Sequence, residues 1–289
     1  MWYLSLLVNI LSIQSHVAFG HVGNASAVFP MQRLGHEVWP IHTVQFSNHT
    51  GYGTWKGRVF DGGMIEECVE GIAARGVLGT CDGVLSGYMG SSDIGEAILG
   101  TVKKVRSANP RALYCCDPVI GDVGRGVFVR PGVPEFMKTR AVPVADVITP
   151  NQWELDYLSG GESRSLAAAR EAIGLVHALG PKVILVTSLH TEETPEDSVD
   201  LVTSAEGKLW RVRTPKLPIS VNGAGDAIAA LFFVHWLQTG SAAEALGRST
   251  ASVYGLLKRT ADANSREILT VAAQDEFVTP TYTFAVESL

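Results

Sequence analysis

Short β-branched runs alternate with longer stretches of helical period along this 289-residue chain. The runs Val8–Ile13, Glu37–Val44, Gly83–Ser86, Ala112–Cys116, Asp146–Thr149 and Val183–Thr187 read as strands, largely apolar and bounded by turn residues. Between and after them, Asn24–Leu34, Met64–Ala74, Asp93–Ser107, Gln152–Ser159, Ser165–Leu179, Asp226–Gln238 and Ala242–Arg259 carry helical spacing. Two more runs, Asp200–Thr203 and Leu209–Arg213, flank Ala205-Glu206-Gly207-Lys208, which reads as a hairpin turn. Strand–helix alternation implies right-handed crossovers. The expected fold is therefore α/β: a mostly parallel central sheet, helices on both faces, and an antiparallel edge hairpin. No repeat or linker interrupts the pattern, so residues 1–289 read as one domain, with 1–7 as a frayed N-terminal extension.

In an open parallel sheet, ligands gather at the carboxyl ends of the strands. Those ends carry Gln14-Ser15-His16, Ser86-Gly87-Tyr88, Asp117-Pro118, Thr149-Pro150-Asn151 and Thr187-Ser188. They are polar or turn-forming, and the topology brings them to one rim.

Composition narrows the class. Hydrophobic residues make up 46% and charged residues 18%, which suits a packed enzyme core rather than a disordered chain. The net charge of −6, with no basic run, argues against nucleic acid as a partner. The first eleven residues are apolar and uncharged, but they lack a basic leader and a nearby small-x-small site. They are read as neither a signal peptide nor a membrane span. The four cysteines, Cys68, Cys81, Cys115 and Cys116, form no C-x-x-C pair and read as buried thiols of a reducing, cytoplasmic compartment.

The most informative stretch is Asn222-Gly223-Ala224-Gly225-Asp226, followed at once by an apolar run of helical length. Glycine permits a tight turn, and the helix that follows offers unpaired N–H groups at the positive end of its dipole. The amides of Gly223, Ala224 and Gly225 would cradle a phosphate or a developing negative charge. Asp226 stands beside them, where a carboxylate could take a proton from an attacking hydroxyl. Turn chemistry with an acidic first helical turn explains the same five residues without any ligand.

Three further segments have the same double reading. Asp117 to Asp122 follows a strand: it is either a proline-bearing turn or a pair of carboxylates for a hydrated divalent cation. Asn151 and Glu154 form a capping-box pattern, and Glu154 could also reach a metal-bound water or a phosphate. Ser47 to Gly53 is a surface loop or a mobile wall for a flat polar substrate. His16, His21, His36 and His49 are not spaced as metal ligands. No G-x-x-x-x-G-K-[ST], no G-x-G-x-x-G after the first strand and no G-x-S-x-G occurs.

These motifs together resemble the ribokinase superfamily and, within it, the bacterial pyridoxal kinases, from Ile13 to about Leu257. The narrow matches are Ser12 to His16 with Gly20 to Asn24, and Val44 to Thr50; Cys116 to Val119, Thr149 to Asn151 and Gly223 to Asp226 complete the set. The resemblance implies a ribokinase-like three-layer sandwich and ATP-dependent phosphorylation of the 5′-hydroxymethyl group of pyridoxal in vitamin B6 salvage. Under it, Asp226 is the base, and Gly223, Ala224 and Gly225 stabilise the transferring phosphoryl group. Ser15, Thr50, Gly51 and Tyr88 contact the substrate. Asp117, Thr149, Glu154, Thr187, Thr214, Pro215, Lys216 and Leu217 line the ATP site, with Asp122 and Glu154 toward Mg²⁺ and a monovalent cation such as K⁺ near Asp117 and Thr149. A cytoplasmic homodimer is also implied.

Two departures from relatives stand out. The segment between Leu217 and Gly223 is short, and Thr187 stands where some bacterial members carry lysine, a charge that Lys216 or Arg213 could replace. The rival readings are a hydroxymethylpyrimidine or sugar kinase of the same fold, and a non-catalytic regulator that binds B6 or nucleotide.

Overall fold

The computed structural model describes residues 7–289. The frayed extension proposed for 1–7 lies outside this range except for the exposed Leu7. In chain order the elements are β1 (Asn9–Val17), α1 (Asn24–Arg33), β2 (Glu37–Phe46), β3 (Gly57–Val59), α2 (Gly62–Ala73), β4 (Gly83–Ser86), α3 (Ser92–Ala108) and β5 (Leu113–Cys116). A small hairpin follows, β6 (Gly121–Asp122) and β7 (Gly126–Val127), then a helical stretch with α4 (Val133–Phe136) and α5 (Val142–Val144). The second half holds β8 (Val147–Ile148), α6 (Gln152–Ser159), α7 (Leu166–His177), β9 (Val183–Leu189), β10 (Ser198–Ala205) and β11 (Lys208–Pro215). It ends with α8 (Ala224–Thr239), α9 (Ala242–Asp262), α10 (Asp275–Val278) and β12 (Glu287–Ser288).

One ten-stranded sheet runs in the order β12-β11-β10-β9-β8-β5-β4-β1-β2-β3. The strands from β9 to β2 pair in parallel, so their carboxyl ends share one edge. β10, β11 and β12 extend one side antiparallel, and β3 closes the other. The β10–β11 turn is Glu206-Gly207, both with positive φ (52° and 74°), as a tight two-residue hairpin requires. Successive strand residues point to opposite faces. Leu11, Val84, Cys116 and Ile148 pack into one core with α2, α3, α6 and α7. Their neighbours Ile10, Leu85, Cys115 and Val147 pack into the other with α1, α8 and α9. α8 is buried without a break from Ala227 to His235, which makes it a central strut rather than a surface helix.

Several boundaries differ from the sequence reading. β1 continues past Ile13 through Gln14, Ser15 and His16, because its ladder with β2 persists around a register shift there. β11 continues through Thr214 and Pro215, which pair with Val199 and Ser198. α8 starts at Ala224 rather than Asp226. Elements of two to four residues carry too little periodicity to be read from sequence, and β3, β6, β7, β12, α4, α5 and α10 lie outside the expected set. Three of the four thiols are buried as expected, but Cys68 is exposed. Among the described residues, no helix is long and apolar enough to cross a membrane.

Candidate active site

The candidate anion loop, residues 222–226, sits where β1, α1 and α8 meet. Gly223 is the N-cap of α8 with φ 93°, and no side chain caps the helix. A Cβ on Gly223 would stand 1.9 Å from the His21 carbonyl oxygen, so glycine is needed for conformation and space alike. Ser26 donates from Oγ to the Gly223 carbonyl at 2.7 Å, which ties the loop to α1. Gly225 faces open space: nothing lies within 4 Å of an added Cβ. First-turn amides with no capping side chain and an open approach make a binding place for an anion.

Asp226 lies in that first turn. The residue as a whole is half-buried, and burial pushes the carboxyl's pKa up to about 6, against the pull of the Gly23 amide and its own. Gly23 presses on Ser15, whose Oγ would be 2.4 Å from a Cβ at Gly23. Ser15 is therefore held within one residue of a group that bonds Asp226. Behind it lies a buried polar network. Ser12 Oγ donates to Asn24 Oδ1 at 2.7 Å, and Gln14 Nε2 donates to Ser12 Oγ at 3.0 Å. Asn24 Nδ2 donates to the Ile41 carbonyl at 2.9 Å and faces His42 Nδ1 at 3.0 Å. Burial, then the nearby His16, lowers the His42 pKa to about 4; the ring is neutral and accepts from Asn24. The two imidazoles stack at 4.3 Å.

Along the same edge, Asp117 and Thr149 cap the neighbouring strands β5 and β8. Thr149 Oγ1 donates to Asp117 Oδ1 at 2.8 Å, and both residues are buried. Burial, then the charges of Glu154 and Asp226, hold the Asp117 carboxyl well above the usual carboxylate range. Glu154 closes a capping box with Asn151 at the start of α6. Its Oε1 also accepts from the amides of Ile120 (2.9 Å) and Gly121 (3.4 Å), and its Oε2 from Asn151 (3.0 Å). Burial nevertheless pushes the Glu154 pKa to about 7. Asp122 is exposed at the end of β6 and accepts from the Val123 amide. Among the described residues, no group of three or more His, Cys, Asp or Glu could hold a metal unaided.

The remaining expected residues divide. Thr187 lies within β9, half-buried, with its amide donating to the Pro150 carbonyl at 2.9 Å. Thr214 is buried in the β11 ladder, Pro215 and Lys216 are exposed, and Leu217 is half-buried. Arg213 is not a spare cation for phosphates, since its Nε and Nη2 each donate to Asp200 at 2.7 Å. Thr50 and Gly51 form an exposed turn over Thr50–Tyr52. A Cβ on Gly51 would be 3.1 Å from Asn222 Nδ2, so this turn meets the anion loop directly. Tyr88 packs against Val17, Val44 and Phe46, and its carbonyl accepts from Thr43 Oγ1 at 3.0 Å.

Sequence reasoning missed Asn24 and His42, which organise the floor beneath Ser15. The available signal was a polar residue in the middle of β2 and another at the very start of α1. It also missed Glu267, whose partners lie more than two hundred residues away in the chain.

Residues 65–270 match the family described as phosphomethylpyrimidine kinase. The chain is 62% identical over 281 residues to pyridoxal kinase PdxY of Granulibacter bethesdensis, covering 96% of this chain and 98% of the relative. It is 55% identical over 280 residues to pyridoxal kinase PdxY of Rubrobacter xylanophilus, covering 96% and 97%. Among solved structures, pyridoxal kinase from Leishmania donovani in complex with ADP and ginkgotoxin superposes with a TM-score of 0.91 at 32% identity, covering 97% of this chain and 99% of that one.

Proposed function

The chain belongs to the pyridoxal kinase family, and on that premise we propose that it transfers the γ-phosphoryl group of ATP to the 5′-hydroxymethyl group of pyridoxal. One observation carries the chemistry: Asp226 stands in the first turn of a helix that no side chain caps, beside Gly225, which faces open space. Asp226 accepts the hydroxyl proton as the alcohol attacks. The amides of Gly223, Ala224 and Gly225 stabilise the charge on the transferring group, and positioning supplies most of the rest. Ser15, Thr50, Gly51 and Tyr88 orient the substrate. Relatives support the two ligand classes, since Leishmania donovani pyridoxal kinase has been solved with ADP and pyridoxamine.

ATP lies along the edge from Asp117 and Thr149 toward Thr187 and the Thr214, Pro215, Lys216 and Leu217 segment. Asp117, a buried carboxyl whose proton affinity the charges of Glu154 and Asp226 raise further, is a fit for a cation arriving with the nucleotide. Mg²⁺ takes one or two carboxylates plus phosphate oxygens and water. Asp117 would be its direct ligand, because Glu154 already accepts three amides and would act through water; exposed Asp122 adds negative charge nearby. When bound, the ion supplies positive charge to the phosphate oxygens. K⁺ near Asp117 and Thr149, the homodimer and the cytoplasmic location rest on the family resemblance.

The decisive experiment measures ATP consumption with pyridoxal, pyridoxine, pyridoxamine and hydroxymethylpyrimidine, with and without Mg²⁺. Pyridoxal turnover dependent on Mg²⁺ is expected. Turnover of hydroxymethylpyrimidine alone would favour the second reading that the matched family model suggests, and turnover of none would favour a binding protein.

A further inference from the structure

Glu267 has no part in the phosphoryl transfer described above, yet it joins two segments that do. It follows α9 in a stretch without regular structure, and its side chain is 15% exposed. Oε1 accepts from Tyr52 Oη at 2.6 Å and pairs with His49 Nε2 at 3.0 Å. A carboxylate only accepts, so Nε2 carries the hydrogen. Oε2 accepts from the His21 amide at 3.2 Å. The neighbour Arg266 covers the other side of the same turn, with its guanidinium 4.0 Å from the centre of the Tyr52 ring.

Both segments continue directly into the reaction site. His49 and Tyr52 bracket Thr50 and Gly51, and Gly51 meets Asn222. The His21 amide is held by Glu267 while its carbonyl presses on Gly223. Ile268, next in sequence, comes within 3.0 Å of a Cβ placed on Gly223. Gly20 leaves room for this, since a Cβ there would collide with Glu267 Oε2 at 2.2 Å. Charge-assisted bonds to one carboxylate are strong and directional.

We propose that Glu267 is a positioning residue, whose carboxylate latches the Thr50–Tyr52 turn and the His21 segment to the anion loop so that the alcohol substrate is held in line with the transferring phosphoryl group. The inference rests on the kinase reading for its kinetic consequence, but the latch itself does not. Glu267→Gln keeps the shape but leaves one acceptor oxygen in place of two and no charge, so either the turn or the His21 amide loses its partner and the bonds that remain are weaker, which loosens the turn.

The test is hydrogen exchange over residues 47–56 in wild type, Glu267→Gln and Tyr52→Phe, with steady-state kinetics on the same proteins. Expected in Glu267→Gln are exchange of the turn amides faster by about tenfold, a KM for pyridoxal raised about tenfold and a KM for ATP within about twofold, the scale of one lost charge-assisted hydrogen bond. Tyr52→Phe, which removes a single bond, should give a smaller shift of the same kind and keeps the test open if the first variant does not fold. Unchanged exchange in the turn, or acceleration spread evenly over the whole sheet, overturns the latch. Faster exchange in the turn with no pyridoxal turnover by wild type supports the latch and counts against the kinase reading alone.

Discussion

Thr149 Oγ1 donates a 2.8 Å hydrogen bond to Asp117 Oδ1 across the carboxyl ends of two adjacent parallel strands. This bond favours the charged form of Asp117, whereas burial and the neighbouring Glu154 and Asp226 oppose it. Thr149→Val keeps the volume and removes the donor. A hydrogen bond to a charged group contributes ~1.5–3 kcal/mol, so Asp117 should hold its proton more tightly. The Mg²⁺ concentration for half-maximal rate should rise by about tenfold or more, read by titrating Mg²⁺ at saturating ATP and pyridoxal. An unchanged titration would remove Asp117 from the cation site.

Asp226 predicts both a rate profile and a stability change. With its pKa raised to about 6, kcat/KM should rise with pH through about 6 and level off above it. Asp226→Asn should lose ~10²–10⁴-fold in kcat, the usual range for a positioned base. The sign for stability runs the other way. A carboxyl whose folded pKa is raised contributes stability that is present at low pH and lost as pH rises through about 6. The asparagine variant should therefore be more stable than wild type at pH 8, by ~1–3 kcal/mol. Thermal melts at pH 5 and pH 8 check this: the advantage should shrink at the lower pH.

The two glycines of the anion loop should separate fold from function. Gly223→Ala forces a side chain into the His21 carbonyl at φ 93°. Strain of this kind costs ~1–3 kcal/mol before the collision is counted, so a lowered Tm and lost activity are expected together. Gly225→Ala meets nothing within 4 Å beyond its own helix backbone and chain neighbours, and lies in helical backbone. Stability should hold or gain ~0.4–1 kcal/mol, while the added methyl intrudes where a phosphate oxygen would sit. Turnover that falls by about a hundredfold with an unchanged melt would identify the cradle. Full turnover would argue that no phosphoryl group passes there.

How far the chain could be read beforehand follows from the range of the forces. The Asn151–Glu154 capping box, the Glu206-Gly207 turn and the glycine-opened start of α8 are local, and each was legible from a few adjacent residues. The parallel strands were legible too, because burial on both faces leaves long apolar runs. The length of β1 was not, since Gln14, Ser15 and His16 look like loop residues until Asn24 and Gln45 supply their partners. β11 was cut short for a related reason: Thr214-Pro215 reads as a strand end, and only the pairing with Ser198 and Val199 shows otherwise. Glu267 was invisible because its meaning lies entirely in contacts with residues 21, 49 and 52.

Arg213 offers the last prediction, because the sequence suggested a phosphate contact and the structure assigns it elsewhere. Its guanidinium grips both oxygens of Asp200, a carboxylate only 3% exposed, while Arg211 stands 3.9 Å away. Arg213→Leu leaves that buried charge with only the Thr194 hydroxyl, at 2.9 Å, and the more distant Arg211. Breaking one side of a buried pair costs ~3–5 kcal/mol, and the Arg211 charge should bring the loss toward the lower bound. The KM for ATP should stay within about twofold of wild type, because nothing in this pair is free to meet a phosphate. Lys216→Ala is the contrasting variant: exposed beyond the end of β11, it should leave the melt unchanged and raise the KM for ATP if it supplies the charge that Thr187 lacks. Equilibrium urea unfolding together with ATP saturation curves for the two variants distinguishes structural from nucleotide-facing charge. A raised KM in Arg213→Leu with full stability would reverse the assignment.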